Sequence, residues 1–166
     1  LVFICNPNNP TGSLTPLDKV KAIATALAGK ALVIIDEAYI EFCPEQSATQ
    51  LINEFSNIVV LRTLSKAFAL AGLRTGFTLA QASVLAPIRK VIAPYPVSSV
   101  VASIAAQAIA PDAITSMRRQ VSILSSLKLK LIEWLNASPA VLKILTGEGN
   151  FVTLKLADKN CFKVAL

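Results

Sequence analysis

Three short apolar runs, "LVFIC" (residues 1–5), "ALVII" (31–35) and "IVVL" (58–61), contain no polar position and are separated by stretches of helical periodicity. Nothing else in the chain restricts its fold as much. A strand with one wet face alternates apolar and polar residues, whereas a strand buried on both faces stays apolar throughout. Between the first two runs, Thr15 is placed to cap a helix with Pro16 at its first position. Val20, Ile23, Ala24 and Leu27 then recur at helical spacing as far as Gly29. Residues 48–55 read as a short helix ahead of the third run. Apolar strands alternating with helices predict an α/β fold, a mostly parallel sheet covered by helices on both faces.

Further along, residues 75–80 read as another strand, its direction undetermined. Helical patterns occupy about 82–92, 98–110 and 112–136, the last with Met117, Val121, Leu124, Leu127, Leu131, Ile132 and Leu135 on one side. After Pro139 the texture changes to short strands, "VLKIL" and "FVTLKL", around the turn "TGEGN". Residues 1–136 are thus expected to belong to one domain and 137–166 to open a smaller α+β unit. The chain starts on a strand run without a methionine and stops in "CFKVAL", inside a helical pattern. A piece of a longer protein is the expectation. No basic leader precedes "LVFIC", so no signal peptide is expected. The uncharged stretch 91–111 is broken by Pro94, Pro96, Ser98, Ser99, Ser103 and Gln107, which argues against a membrane span.

Each of the three strand runs is followed at once by a polar cluster: "NPNNPTG" (6–12), "DEAY" (36–39) and "RTLSK" (62–66). In a right-handed parallel sheet the carboxyl ends of the strands share one edge, where ligands bind. Asn9, Asp36, Tyr39, Thr63, Ser65 and Lys66 are therefore expected to converge. Taken singly, each cluster has a local explanation: a turn, a helix cap by Asp36 or Glu37, a packed tyrosine. Their coincidence at three equivalent strand ends argues for a site. Lys66 stands out, because "TLSKAFALAGLRTGF" (63–77) gives it hydroxyls just before, apolar or small residues after, and Arg74 eight positions on. A buried lysine is costly unless it is paired or has lost its charge by reacting.

Composition narrows the chemistry. The chain has no histidine, which excludes Ser-His triads, imidazole acid–base catalysis and His-ligated metals. Cys5, Cys43 and Cys161 form no CxxC pair and are odd in number, so neither a disulfide framework nor a zinc site is indicated, and a reducing, cytoplasmic setting fits. The net charge of +6 is scattered, not gathered into a stripe. It predicts anionic small molecules as partners, with no nucleic acid and no membrane.

A lysine nucleophile forms a Schiff base with an aldehyde. A carboxylate keeps a pyridine nitrogen protonated. Hydroxyls and an arginine fork suit a phosphate. Pyridoxal phosphate carries all three groups. The motifs "NPNNPTG", "DEAYIEF", "RTLSKAFALAGLRTGF" and "KVIAPYP" resemble those of the fold-type I pyridoxal-phosphate aminotransferases, and within them the histidinol-phosphate branch. The resemblance spans nearly the whole chain. It implies that Lys66 is the Schiff-base lysine and that Asp36 pairs with the pyridine nitrogen. Asn9 and Tyr39 would bond the ring's 3-oxygen, and Thr63, Ser65 and Arg74 would hold the phosphate. It implies a ping-pong transfer of an amino group between glutamate and imidazole acetol phosphate, giving histidinol phosphate and 2-oxoglutarate, by a homodimer. The family's N-terminal arm, its cross-subunit tyrosine and its substrate arginines are not found in these residues. Other substrates therefore stay open, as for an aromatic aminotransferase or a phosphate-ester decarboxylase, and so does a non-enzymatic module that binds a phosphorylated ligand.

Overall fold

The computed structural model describes residues 1–158. The expected strands form: β1 (Val2–Cys5), β2 (Val33–Asp36) and β3 (Ile58–Thr63) lie side by side and parallel, with Cys5 opposite Asp36 and Asp36 opposite Leu61. The fourth strand, β4 (Gly76–Ala80), runs antiparallel to β3, which settles its direction. Helix α1 (Leu17–Ala26) crosses from β1 to β2 and buries Val20 and Ala24 against Val33, Ile35, Ile58 and Val60, all at 0% exposure. Ala48 and Leu51 close the same core. Burying that many branched aliphatic side chains, each contributing about 1.5–3 kcal/mol, is what holds the sheet to its helix. The buried amide of Asn57 joins the two ends of the crossover, donating to the carbonyls of Ala24 (2.9 Å) and Ala31 (3.3 Å).

Two expectations need correction. Thr15 does not cap α1; Pro16 holds that position and Leu17 is the first helical residue. The backbone of Thr15 is taken instead by Asn6, whose Oδ1 accepts from the Thr15 N–H (2.8 Å) and whose Nδ2 donates to its carbonyl (3.1 Å). Residues 48–55 form no α-helix but a 3₁₀ turn, Ala48–Leu51, followed by further turns. Its first N–H donates to the Glu37 carboxylate (2.6 Å), and eight residues are too few for helix propensity alone to prevail. On the face away from α1, Val59 is buried, but Phe3 at the β1 edge is 66% exposed.

Three helices follow: α2 (Ala82–Val91), α3 (Ser99–Ala108), capped by the Ser98 hydroxyl, and α4 (Pro111–Asn136). The stripe read on α4 is buried only at its start, where Met117 and Val121 pack on Ala67, Phe42, Phe68 and Ile114. Leu124, Leu127 and Leu131 of the same stripe are exposed. A two-stranded antiparallel sheet, β5 (Val141–Leu145) and β6 (Thr153–Leu156), ends the described part. Among the described residues no single helix is long and apolar enough to cross a membrane. The helix read into "CFKVAL", and Cys161 with it, lies outside the described residues.

Candidate active site

The carboxyl ends of β1, β2 and β3 meet at one edge, and side-chain alternation sorts their residues between the two faces. Asp36 is the last residue of β2 and shares the face away from α1 with Cys5, Leu61 and Thr63. Its Oδ1 accepts the N–H of Ala38 (3.1 Å), a local turn and not the helix cap that was one reading of this residue. Asn9, from the loop after β1, donates its Nδ2 to the phenol oxygen of Tyr39 (3.0 Å). Tyr39 is buried, and the ammonium of Lys66 stands 5.3 Å from its ring centroid. A fixed ring below an exposed amine is an orienting contact of roughly 0.5–1 kcal/mol. Thr63 and Ser65 form a second group: the Thr63 hydroxyl donates to Ser65 Oγ (2.9 Å) and accepts the Ser65 N–H (3.0 Å).

The structure thus brings Asn9, Tyr39 and Lys66 together, and Thr63 with Ser65, with Asp36 on the neighbouring strand end. Arg74 is less closely joined. Its backbone sits beside this loop, since the Leu64 N–H donates to the Thr75 carbonyl (3.2 Å), yet its guanidinium donates to the Ala71 carbonyl (3.2 Å) and is exposed. Arg74 also takes a left-handed backbone conformation, φ 50°.

Two features of the edge are absent from the sequence reading. The first lies behind it. Glu37 and Arg62, one residue away from Asp36 and Thr63 respectively, point to the opposite face and pair there: Arg62 Nε donates to Glu37 Oε2 at 2.7 Å. The same guanidinium donates to Glu41 Oε1 (3.0 Å) and Ser47 Oγ (2.9 Å). Glu37 is fully buried, and desolvation outweighs Arg62 in moving its carboxyl above the ordinary range. Burial does the same to Glu41, whose Oε2 is buried without a hydrogen-bond partner. The signal was the alternation itself, since "DE" and "RT" each set one polar side chain on either face.

The second feature closes over the loop that carries Asn9. The turn between β5 and β6 packs backbone to backbone against it, with Glu148 N–H donating to the Gly12 carbonyl (2.8 Å). A Cβ on Gly147 would stand 2.5 Å from Gly12 carbonyl atoms, so only glycine permits the approach. Lys128 of α4 donates to the Gly147 carbonyl and, at 2.9 Å, to that of Gly149. Burial pulls the Lys128 ammonium below its ordinary range, partly offset by Glu148. Phe151 meets the ring of Tyr39 edge-on at 5.1 Å, and the Thr153 hydroxyl bonds the Pro10 carbonyl.

Comparison with known proteins places these features in a family. The pattern of "Aminotransferase class I and II" matches residues 1–165. A histidinol-phosphate aminotransferase of Aeromonas salmonicida is 47% identical over 158 residues, 95% of this chain and 44% of that protein. The corresponding protein of Yersinia pseudotuberculosis is 46% identical over 99% of this chain and 43% of its own length. This chain therefore spans less than half of the curated relatives it matches. Among solved structures, the histidinol-phosphate aminotransferase of Clostridium acetobutylicum superposes with a TM-score of 0.85 at 28% identity, covering 95% of this chain and 47% of that one. That of Sinorhizobium meliloti, solved in complex with pyridoxal-5'-phosphate, gives 0.79 at 29% identity, covering 99% and 44%. A decarboxylase of Sulfurospirillum multivorans gives 0.83 at 24%, a likeness of fold alone. With the family pattern matched along almost its entire length, the chain belongs to the class I and II aminotransferases.

Proposed function

We propose that the protein containing this chain is a pyridoxal-phosphate-dependent aminotransferase exchanging an amino group between histidinol phosphate and 2-oxoglutarate, yielding imidazole acetol phosphate and glutamate. The observation that carries it is the assembly at the sheet edge, with Lys66 poised 5.3 Å above the ring of Tyr39 and Asn9 bonded to that phenol. The substrate rests on relatives of that name at 46–47% identity.

The donor set fits the cofactor. Lys66 is an exposed primary amine with no salt bridge among the described residues. Asp36 keeps one carboxylate oxygen outside the local bond to Ala38, available to a pyridinium. Bound pyridoxal phosphate supplies an electron sink for charge at the substrate's α-carbon. Lys66 would hold the group covalently and, once displaced by the substrate amine, would take and return the proton at its Nζ. Asp36 would retain a proton on the pyridine nitrogen. The Asn9–Tyr39 pair would orient the ring oxygen, Thr63 and Ser65 would donate to the phosphate, and Arg74 would join them by turning from the Ala71 carbonyl.

We assign residues 1–136 to the large cofactor-binding domain and 137–166 to the start of a small one, and expect the whole protein to be a cytoplasmic homodimer. Borohydride reduction of the full-length protein with pyridoxal phosphate, followed by peptide mapping, tests the site. Label on Lys66 supports the reading; label on Lys30 or Lys90 in its place overturns it. Glutamate-dependent turnover of imidazole acetol phosphate, compared with aromatic 2-oxo acids, tests the substrate.

A further inference from the structure

The ladder between β2 and β3 stops just where the site begins. Asp36 pairs with Leu61, and one further backbone bond, from the Glu37 N–H to the Leu61 carbonyl (2.9 Å), is the last between the two strands. Beyond it β2 turns into the 3₁₀ segment Ile40–Phe42, while β3 continues against β4, with Arg62 opposite Phe77 and Thr63 opposite Gly76. Past that bond no further backbone bond joins β2 to the end of β3, where the segment carrying Thr63, Ser65 and Lys66 begins. What spans the gap is the ion pair on the reverse face, Arg62 Nε to Glu37 Oε2 at 2.7 Å.

Both partners of that pair are themselves held. Glu37 accepts from Ser47 Oγ (3.0 Å) and from the Ala48 N–H (2.6 Å), and Arg62 also donates to Ser47 and Glu41. A guanidinium bound in three directions has little freedom to swing, and a lysine cannot reproduce the fork. We propose that Glu37 and Arg62, with Ser47 between them, are positioning residues that set the separation of Asp36 from Lys66 from the back of the sheet. Asp36 and Glu37 are consecutive, as are Arg62 and Thr63, so any change in the rear pair is passed through one peptide unit to the front face. Sites depend on such supporting contacts, and a misplacement of about 1 Å can cost on the order of 10²-fold in rate.

The inference rests on the proposed function, and the test separates the two. Full-length protein is prepared as the parent, Arg62→Lys, Glu37→Gln and Ser47→Ala, each also in an Asp36→Asn background. The dissociation constant for pyridoxal phosphate is measured by equilibrium dialysis, and the melting temperature without cofactor is recorded alongside. Arg62→Lys and Glu37→Gln are expected to weaken cofactor binding about tenfold, as loss of an outer supporting partner does at other sites. Ser47→Ala should act in the same direction by a smaller factor. The effect should shrink markedly in the Asp36→Asn background, because a residue acting through Asp36 loses its lever there. A merely structural pair would lower the melting temperature and leave the dissociation constant unchanged, or change it equally in both backgrounds. Either result overturns the inference while the proposed function stands. A parent protein that takes up no pyridoxal phosphate overturns both. Should Arg62→Lys fail to fold, Ser47→Ala, which keeps both charges paired, is read by the same criteria.

Discussion

Lys66 and Asp36 divide the proposed chemistry between an exposed amine and a carboxylate at a strand end, and each can be tested by itself. Asp36→Ala should still take up pyridoxal phosphate, because Lys66 and the hydroxyl pair of Thr63 and Ser65 remain. Its turnover should fall by about 10² or more, the usual cost of removing one electrostatic partner of the reacting group. Activity within about threefold of the parent would contradict the role. Cys43 offers a test of burial. It is buried, and desolvation together with the carboxylates of Glu148 and Glu45 pushes its thiol from 9.0 up to about 12. The folded chain therefore holds this proton more tightly than the unfolded one. The stability so contributed is complete below pH 9.0 and is lost as pH rises towards 12. Urea unfolding at pH 8, 9.5 and 11 should show the parent losing more stability across the series than Cys43→Ala. Parallel pH curves would refute the assignment. With a thiol reagent at pH 8, peptide mapping should find half-buried Cys5 modified before Cys43.

The turn between β5 and β6 acts as a latch on the loop after β1. The two segments, far apart in sequence, meet there through backbone atoms, so side-chain volume at Gly12 and Gly147 decides whether they touch. Gly147→Ala should destabilise by about 1–3 kcal/mol, the range for forcing extra atoms into a packed contact. Its control is Gly72→Ala, where an added Cβ meets nothing within 4 Å and the backbone angle is ordinary. Thermal unfolding of the two variants makes the comparison, and an equal effect at both positions would remove the latch. The same variant should loosen Phe151 from Tyr39, which the near-ultraviolet circular dichroism of these rings reports. Further back, Asn57→Ala should cost about 1–3 kcal/mol, since it leaves two carbonyls at the α1–β2 crossover without their shared donor.

At the scale of the molecule, residues 1–166 expressed alone should give no measurable transamination, whereas the full-length protein should. The chain spans less than half of its relatives. Apolar surface stays uncovered on α4 at Leu124, Leu127, Leu131 and Trp134 and at the β1 edge at Phe3, so aggregation of the fragment is expected too. Equal turnover from fragment and whole would overturn this. The sequence by itself determined the three parallel strands, the helices between and after them, and the polar clusters at the strand ends. Those features are local: an unbroken apolar run favours a strand with packing on both faces, and the polar cluster begins where the run stops. The sequence also carried a start for α1 one residue early and a helix at 48–55; in the fold the Thr15 N–H is taken by Asn6 and the Ala48 N–H by Glu37, 9 and 11 positions away, contacts that local periodicity does not contain. Only the tertiary structure could decide which side of the sheet each member of "DE" and "RT" faces and that the two rear residues pair. It alone showed that "TGEGN" closes on "NPNNPTG". Alternation gives the parity of a strand's side chains but not which parity meets α1, and contacts across more than a hundred residues depend on how the layers stack.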